Sequence, residues 1–177
     1  MSCFSVLISV YHGEKAAYLF DSLESVFQQS LKPTEVILVK DGELTDELNK
    51  VINSFTERHD NLFLFGYSNN RGLGYALKYG LENCRYDIVF RCDSDDINVF
   101  DRFEKQMYIL ETMDVAIVGS NIEEFNFSPG DLRRTREVPE GSQEIQHTKS
   151  SRNPFNHMSV AFRKTAVIAS GGYLEMP

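Results

Sequence analysis

Two hydrophobic periods alternate along the chain, one typical of buried strands and one of amphipathic helices. "FSVLISVY" (4–11) is an almost unbroken apolar run and predicts a buried strand. In 16–30, Ala16, Leu19, Phe20, Leu23, Val26 and Phe27 recur at helical spacing and form one apolar face. Pro33 interrupts the pattern before "EVILVKDG" (35–42), a second buried strand. Thr45 or Asp46 is suited to cap the helix that follows, whose stripe is Leu48, Val51, Ile52 and Phe55. "NLFLFGYS" (61–68) predicts a third strand, and Leu73, Ala76, Leu77, Gly80 and Leu81 a third helix. "YDIVFRC" (86–92) is a fourth strand. Phe100, Phe103, Met107 and Leu110 mark another helix, and "DVAIVGSNIEEFNF" (114–127) another strand. From 128 to 151 the pattern dissolves among charged residues with Pro129, Gly130, Pro139 and Gly141, which predicts a long surface connection. "HMSVAFRKTAVIASGGY" (157–173) restores a strand, a short helix and a Gly-Gly turn.

Strands and helices thus alternate at roughly thirty residues per unit, the mark of βαβ units on a mainly parallel sheet. The fold class is α/β. With no internal repeat and no second apolar set, residues 1–177 are expected to form a single domain. Ligands of open α/β sheets bind beyond the carboxyl ends of the strands. The polar groups that follow strands here are Tyr11 to Glu14, Lys40 to Glu43, Ser68 to Arg71 and Asp93 to Asp96, and all four should meet along one edge.

Composition narrows the partners. The chain has 42% hydrophobic and 25% charged residues, as expected of an ordinary globular protein. A net charge of −8 and a pI near 5.0 argue against nucleic acid, which would need a basic stripe. Cys3, Cys84 and Cys92 are odd in number and lack CxxC spacing, so neither a disulfide framework nor a zinc site is expected, and a cytoplasmic location is. Residues 4–11 are too few to span a membrane and lack a basic region before them, so no signal peptide is expected; peripheral association through other regions stays open.

The chemistry concentrates in "DSDD". Asp93, Asp95 and Asp96 end a buried strand, where like charges repel and pay desolvation. Alone, such a cluster is more often a solvated turn or a helix cap. Behind a buried strand of an α/β sheet it suits a hard divalent cation, with water and phosphate completing the shell. An EF-hand is excluded, since Ile97 and Asn98 occupy the fifth position and the obligatory glycine position of that loop. "NNRGLGYALKYG" is neither GxGxxG nor a Walker loop, so its glycines are assigned to a turn before the third helix. Arg71 can pair with a phosphate or lie on the surface. Asp41 can accept hydrogen bonds from a base or ribose, or serve only as a turn residue. His157, alone in an apolar setting, is read as structural.

The ordered set "SVLISVYHGEKAAYLFDSLESVFQQS", "EVILVKDG", "NRGLGYALKYGL", "DIVFRCDSDD" and "NPFNHMSVAFRKTAVIASGGY" resembles family 2 glycosyltransferases across nearly the whole chain. The last segment is most similar to bacterial enzymes of O-antigen and capsule synthesis. The resemblance implies a GT-A fold and an inverting transfer from a nucleotide-sugar donor, UDP-linked by preference, to a glycan or lipid-linked acceptor. It places Ser9, Tyr11 and Glu14 around the base and ribose, Asp41 at the base, and Arg71 near the base or diphosphate. Asp93, Asp95 and Asp96 would bind the ribose and hold Mn²⁺ or Mg²⁺ against the phosphates, with Asp93 and Asp95 assigned to the donor and Asp95 and Asp96 to the metal. Two departures stand out. Lys40 replaces the first of a common acidic pair, which bears on nucleotide preference. The family's general base follows a segment like "GGYLEMP" by several residues, whereas this sequence ends at Pro177. Glu175 lies too early in the pattern to replace it, so a truncated, donor-binding portion is expected. The rival readings are a non-catalytic nucleotide-sugar module and a nucleotidyltransferase; "YHGEKAA" lacks the Gly-rich basic loop of the latter.

Overall fold

A computed structural model describes residues 3–126 and 128–174. In chain order it contains β1 (Phe4–Tyr11), α1 (Ala16–Phe27), β2 (Glu35–Asp41), α2 (Asp46–Thr56), β3 (Leu62–Tyr67), α3 (Leu73–Asn83), β4 (Ile88–Arg91) and α4 (Arg102–Thr112). There follow β5 (Ile117–Val118), β6 (Ile122–Glu124), β7 (Arg134–Arg136), α5 (Gly141–Thr148), a 3-10 turn (His157–Ser159), β8 (Ala161–Arg163) and α6 (Lys164–Ala169). Among the described residues six strands form the main sheet in the order β3-β2-β1-β4-β8-β5. The first four are parallel, and β8 runs antiparallel between β4 and β5. The α/β expectation is met.

The central strands β1, β2 and β4 are apolar on both faces because both faces are covered. Phe4, Val6, Ile8 and Val10 of β1 face α1, α2 and α4, whose Leu19, Leu23, Phe55, Phe103 and Leu110 are buried against them. Leu7, with Ile37 and Val39 of β2, faces α3 through Ala76, Leu77 and Leu81. Each such side chain stabilises the fold by about 1.5–3 kcal/mol on burial. Helix α2 begins as anticipated, with the Leu48 amide donating to the Thr45 hydroxyl at 3.3 Å.

Register sets up the functional edge. Tyr11 pairs with Asp41, and Asp41 with Tyr67, so three strands end level with one another. Arg91 lies opposite Leu7, so β4 stops short and the acidic turn runs on beside the ends of β1. Gly42 then leaves β2 with φ +89°, and a Cβ there would stand 2.7 Å from the Asn70 amide nitrogen. Only glycine lets the turn after β2 lie this close to the loop after β3.

Two expectations change. The strand expected over 114–127 breaks at Gly119 and Ser120, where the Ser120 amide donates to the Ser159 hydroxyl at 3.1 Å. A Cβ on Gly119 would sit 2.8 Å from the Phe155 ring, so the chain bends there and β6 leaves the main sheet. The stretch expected to be a plain connection carries β7 and α5. β7 pairs with β6, and Arg134 and Arg136 both bond the Glu124 carboxylate, at 3.1 and 2.5 Å. Such charge pairing leaves no hydrophobic pattern to read. No helix among the described residues is long and apolar enough to cross a membrane.

Candidate functional site at the carboxyl edge of the sheet

The strand ends converge on a cleft of about 500 Å³. Its wall takes Ser9, Tyr11 and Glu14 from β1 and its turn, Asp41 from β2, Asn70 and Gly72 from the loop after β3, and Asp93 and Asp95 from the turn after β4. All four expected groups therefore meet here, through six of the eight residues singled out from the sequence.

Asp41 is fixed before any ligand arrives. Its Oδ1 accepts from the Tyr67 hydroxyl at 2.9 Å and the Arg71 amide at 2.7 Å, and its Oδ2 from the Gly72 amide at 3.0 Å. Gly72 is the residue capping α3, so Asp41 places a negative charge at that helix's N-terminus. Burial, then the hydrogen bond to Asp41, pushes the Tyr67 hydroxyl above its ordinary pKa of 10.0, so it remains a donor. Arg71 does not line the cleft by its side chain; the guanidinium lies over the Tyr75 ring at 3.3 Å.

The acidic turn is held from beneath by α1. The Ser22 hydroxyl donates to the Asp93 carbonyl at 2.7 Å, and the Ser25 hydroxyl accepts from both Asn98 nitrogens at 3.0 Å. Arg102, buried at the start of α4, donates to the Asn98 side chain and to the Arg91 carbonyl. From the other side, the Ser94 hydroxyl donates to Glu14 Oε2 at 2.8 Å.

Within this frame the carboxylates of Asp93, Asp95 and Asp96 each offer an oxygen, all within 4.8 Å of one another. Burial raises Asp95 above the usual carboxylate range, followed by the charges of Glu14 and Asp93. Burial and the charges of Asp93 and Asp95 push Asp96 up to about 6. Asp96 lines a second cavity, of about 280 Å³, beside Asn98, Arg102 and Ser159, rather than the cleft itself. Its Oδ2 is buried with no hydrogen-bond partner among the described residues. Crowded carboxylate oxygens, one of them buried and unpartnered, fit a divalent cation.

Three contributors escaped the sequence reading. Lys15 and Tyr18 line the cleft, with the Lys15 ammonium donating to the Tyr18 hydroxyl at 3.1 Å. Arg91 is wholly buried beneath the turn and ion-paired with Asp93. Its signal was present as a lone charge in the apolar run before "DSDD". Glu175 lies outside the described residues. His157 sits near Asp93, its ring nitrogen 3.4 Å from the Tyr173 hydroxyl, and burial lowers its pKa.

The profile of glycosyl transferase family 2 matches residues 5–171. The chain belongs to that family. This family 2 chain is 42% identical over 171 residues to the UDP-Gal:alpha-D-GlcNAc-diphosphoundecaprenol beta-1,3-galactosyltransferase of Escherichia coli, covering 96% of the chain and 62% of the relative. It is 39% identical to the amylovoran biosynthesis glycosyltransferase AmsE of Erwinia amylovora, covering 96% and 63%. The chain thus spans less than two thirds of these relatives' length. Among solved structures, S. aureus TarS 1-349 in complex with UDP aligns with a TM-score of 0.76 at 19% identity, over 98% of this chain and 51% of that one. The mannosyltransferase PcManGT from Pyrobaculum calidifontis, in complex with GDP-Man and Mn²⁺, aligns at 0.71 and 20%, over 97% and 47%. These likenesses establish the GT-A fold.

Proposed function

We propose that the chain forms the donor-binding part of an inverting glycosyltransferase of bacterial cell-surface polysaccharide synthesis. It would take a nucleotide-diphosphate sugar, UDP-linked by preference, and serve a glycan or lipid-linked acceptor at the inner face of the cytoplasmic membrane. The observation that carries the reading is the single cleft joining Tyr11, Glu14 and Asp41 to the Asp93–Asp96 turn. The E. coli relative's name specifies UDP-Gal and a diphosphoundecaprenol-linked sugar, which supports the choice of nucleotide and acceptor class.

In this reading Tyr11 and Asp41 border the base, with Arg71 keeping the Asp41 loop in place through its amide. Ser9, Glu14 and Asp93 receive the ribose hydroxyls. Asp95 and Asp96 hold Mn²⁺ or Mg²⁺. Such a cation, when bound, supplies Lewis-acid stabilisation of the departing nucleoside diphosphate. The protein's own contribution is preorganisation: Ser22, Ser25, Ser94 and Arg102 fix the turn before ligand arrives, so little reorganisation remains at the moment of transfer. None of the cleft carboxylates is assigned the role of base toward the acceptor.

Thermal unfolding with UDP, GDP and dTDP, each with and without Mn²⁺, tests this. Ligands that bind only the folded state raise Tm with concentration. The expected result is stabilisation by UDP that depends on Mn²⁺. No stabilisation by any of the nucleotides would overturn the proposal.

A further inference from the structure

Arg91 is the only charged residue of β4, and its side chain is wholly buried. It shares the face of Val89, toward α3, while its neighbours Phe90 and Cys92 pack on the other side. The guanidinium is ion-paired with Asp93, yet Nε and Nη2 have no hydrogen-bond partner among the described residues. A fold seeking stability alone would do better with an apolar side chain here, because a buried ion pair seldom repays its desolvation. The arginine is therefore explained by its charge rather than by its packing.

We propose that Arg91 is a positioning residue, a built-in counter-ion that occupies Asp93 and leaves Asp95 and Asp96 to hold one divalent cation. The proposal rests on the metal-dependent donor reading above. Around the turn, Arg91 is ion-paired with Asp93; Asp95 feels the charges of Glu14, Asp93 and Arg91, and Asp96 those of Asp93, Asp95, Arg91 and Arg102. Arg102 is already committed to Asn98, Gln106 and the Arg91 carbonyl, and so completes the turn's scaffold. Four negative charges against two positive ones leave a deficit that a single divalent cation cancels. Without Arg91 the deficit would be three, and Asp93 would be free to turn toward the cation. The internal cation thereby limits how strongly the metal binds before the donor's diphosphate arrives.

The test is a titration of the chain with Mn²⁺ alone, following free ion by electron paramagnetic resonance, and then with UDP added. The natural chain should bind one Mn²⁺. Arg91→Met should bind Mn²⁺ alone roughly three- to tenfold more tightly, since one repelling charge is gone. A merely structural arginine would give the opposite sign, because a disordered turn binds metal less well. The double variant Arg91→Met/Asp93→Asn leaves no unpaired buried charge and should stay within about threefold of the natural affinity. If Arg91→Met fails to fold by circular dichroism, the double variant decides alone. Weaker Mn²⁺ binding in folded Arg91→Met, or loss of binding in the double variant, overturns the inference. Failure of the natural chain to bind Mn²⁺ with or without UDP would overturn the donor reading itself, before any substitution is made.

Discussion

The Ser94 hydroxyl donates to Glu14 Oε2 at 2.8 Å, joining two turns eighty residues apart in the chain. One turn follows the first strand of the sheet and the other carries the acidic cluster. The bond ties the turn after β1 to the acidic turn, which in the proposed reading are the nucleoside and cation sides of the cleft. Ser94→Ala should therefore weaken UDP binding in the presence of Mn²⁺ by about 1 kcal/mol, or roughly fivefold. Isothermal titration calorimetry checks it. An unchanged UDP affinity would mean that the two turns hold their spacing without the bond.

Asp41 presents both oxygens to three donors, two of them backbone amides. Asparagine has one acceptor oxygen and would turn an amide group toward at least one of those N–H groups. Asp41→Asn should cost about 1–3 kcal/mol of folding stability, readable in urea unfolding. It should also let the Tyr67 hydroxyl titrate at lower pH, since one cause of its elevation is gone. Absorbance near 295 nm follows that change.

His59 stacks on Phe27 with ring centroids 3.7 Å apart and planes 6° from parallel. Burial, then the neighbouring Arg58 charge, lowers its pKa below the ordinary 6.5. The unfolded chain then binds the proton more readily than the folded one. Stability from this group is present in full above pH 6.5 and is lost as pH falls through the depressed folded value. His59→Phe should flatten the decline in Tm between neutral and mildly acidic pH. An equally steep decline in the variant would assign it to other groups.

Gly80 lies in α3 where a Cβ would meet Leu7 Cδ1 at 2.4 Å and Val39 Cγ2 at 2.7 Å. Alanine gains about 1 kcal/mol of helix propensity, while overpacking costs about 1–3 kcal/mol. Leu7 and Val39 are both fully buried and have nowhere to retreat, so overpacking wins. Gly80→Ala should lose about 1 kcal/mol in denaturant unfolding, with UDP binding retained.

The period of the apolar residues was enough to place β1 to β4 and the helices between them: β1, β2 and β4 are buried on both faces and read as apolar runs, while the edge strand β3 is half-exposed yet still apolar in sequence. It also located the edge where Tyr11, Asp41 and Asp93 meet. Other features left weaker traces. The ribbon of β6 and β7 depends on Glu124 gripped by two arginines, which hydropathy does not register. Arg71 was expected at the ligand, but which way its side chain turns is decided by the Tyr75 ring one helical turn on. Asp95 and Asp96 were treated alike from the sequence, yet they face different cavities, a distinction made by the bend of a single turn. Arg91 was visible as a letter, but its partner and depth depended on how far β4 ran against β1.

The placement of β8 has a consequence for how the molecule comes into being. Arg91 donates its amide to the Val160 carbonyl at 2.9 Å, and Arg102 reaches the same carbonyl at 3.3 Å. A chain emerging from the ribosome has every carboxylate of the acidic turn by position 96 but lacks Val160, the residue just before β8 whose carbonyl seats the arginine beneath them. Contacts this distant along the chain close late, after the local βαβ units have formed. On the proposed donor reading, competence to bind a cation would report on the completion of folding, since the turn's seat includes residue 160.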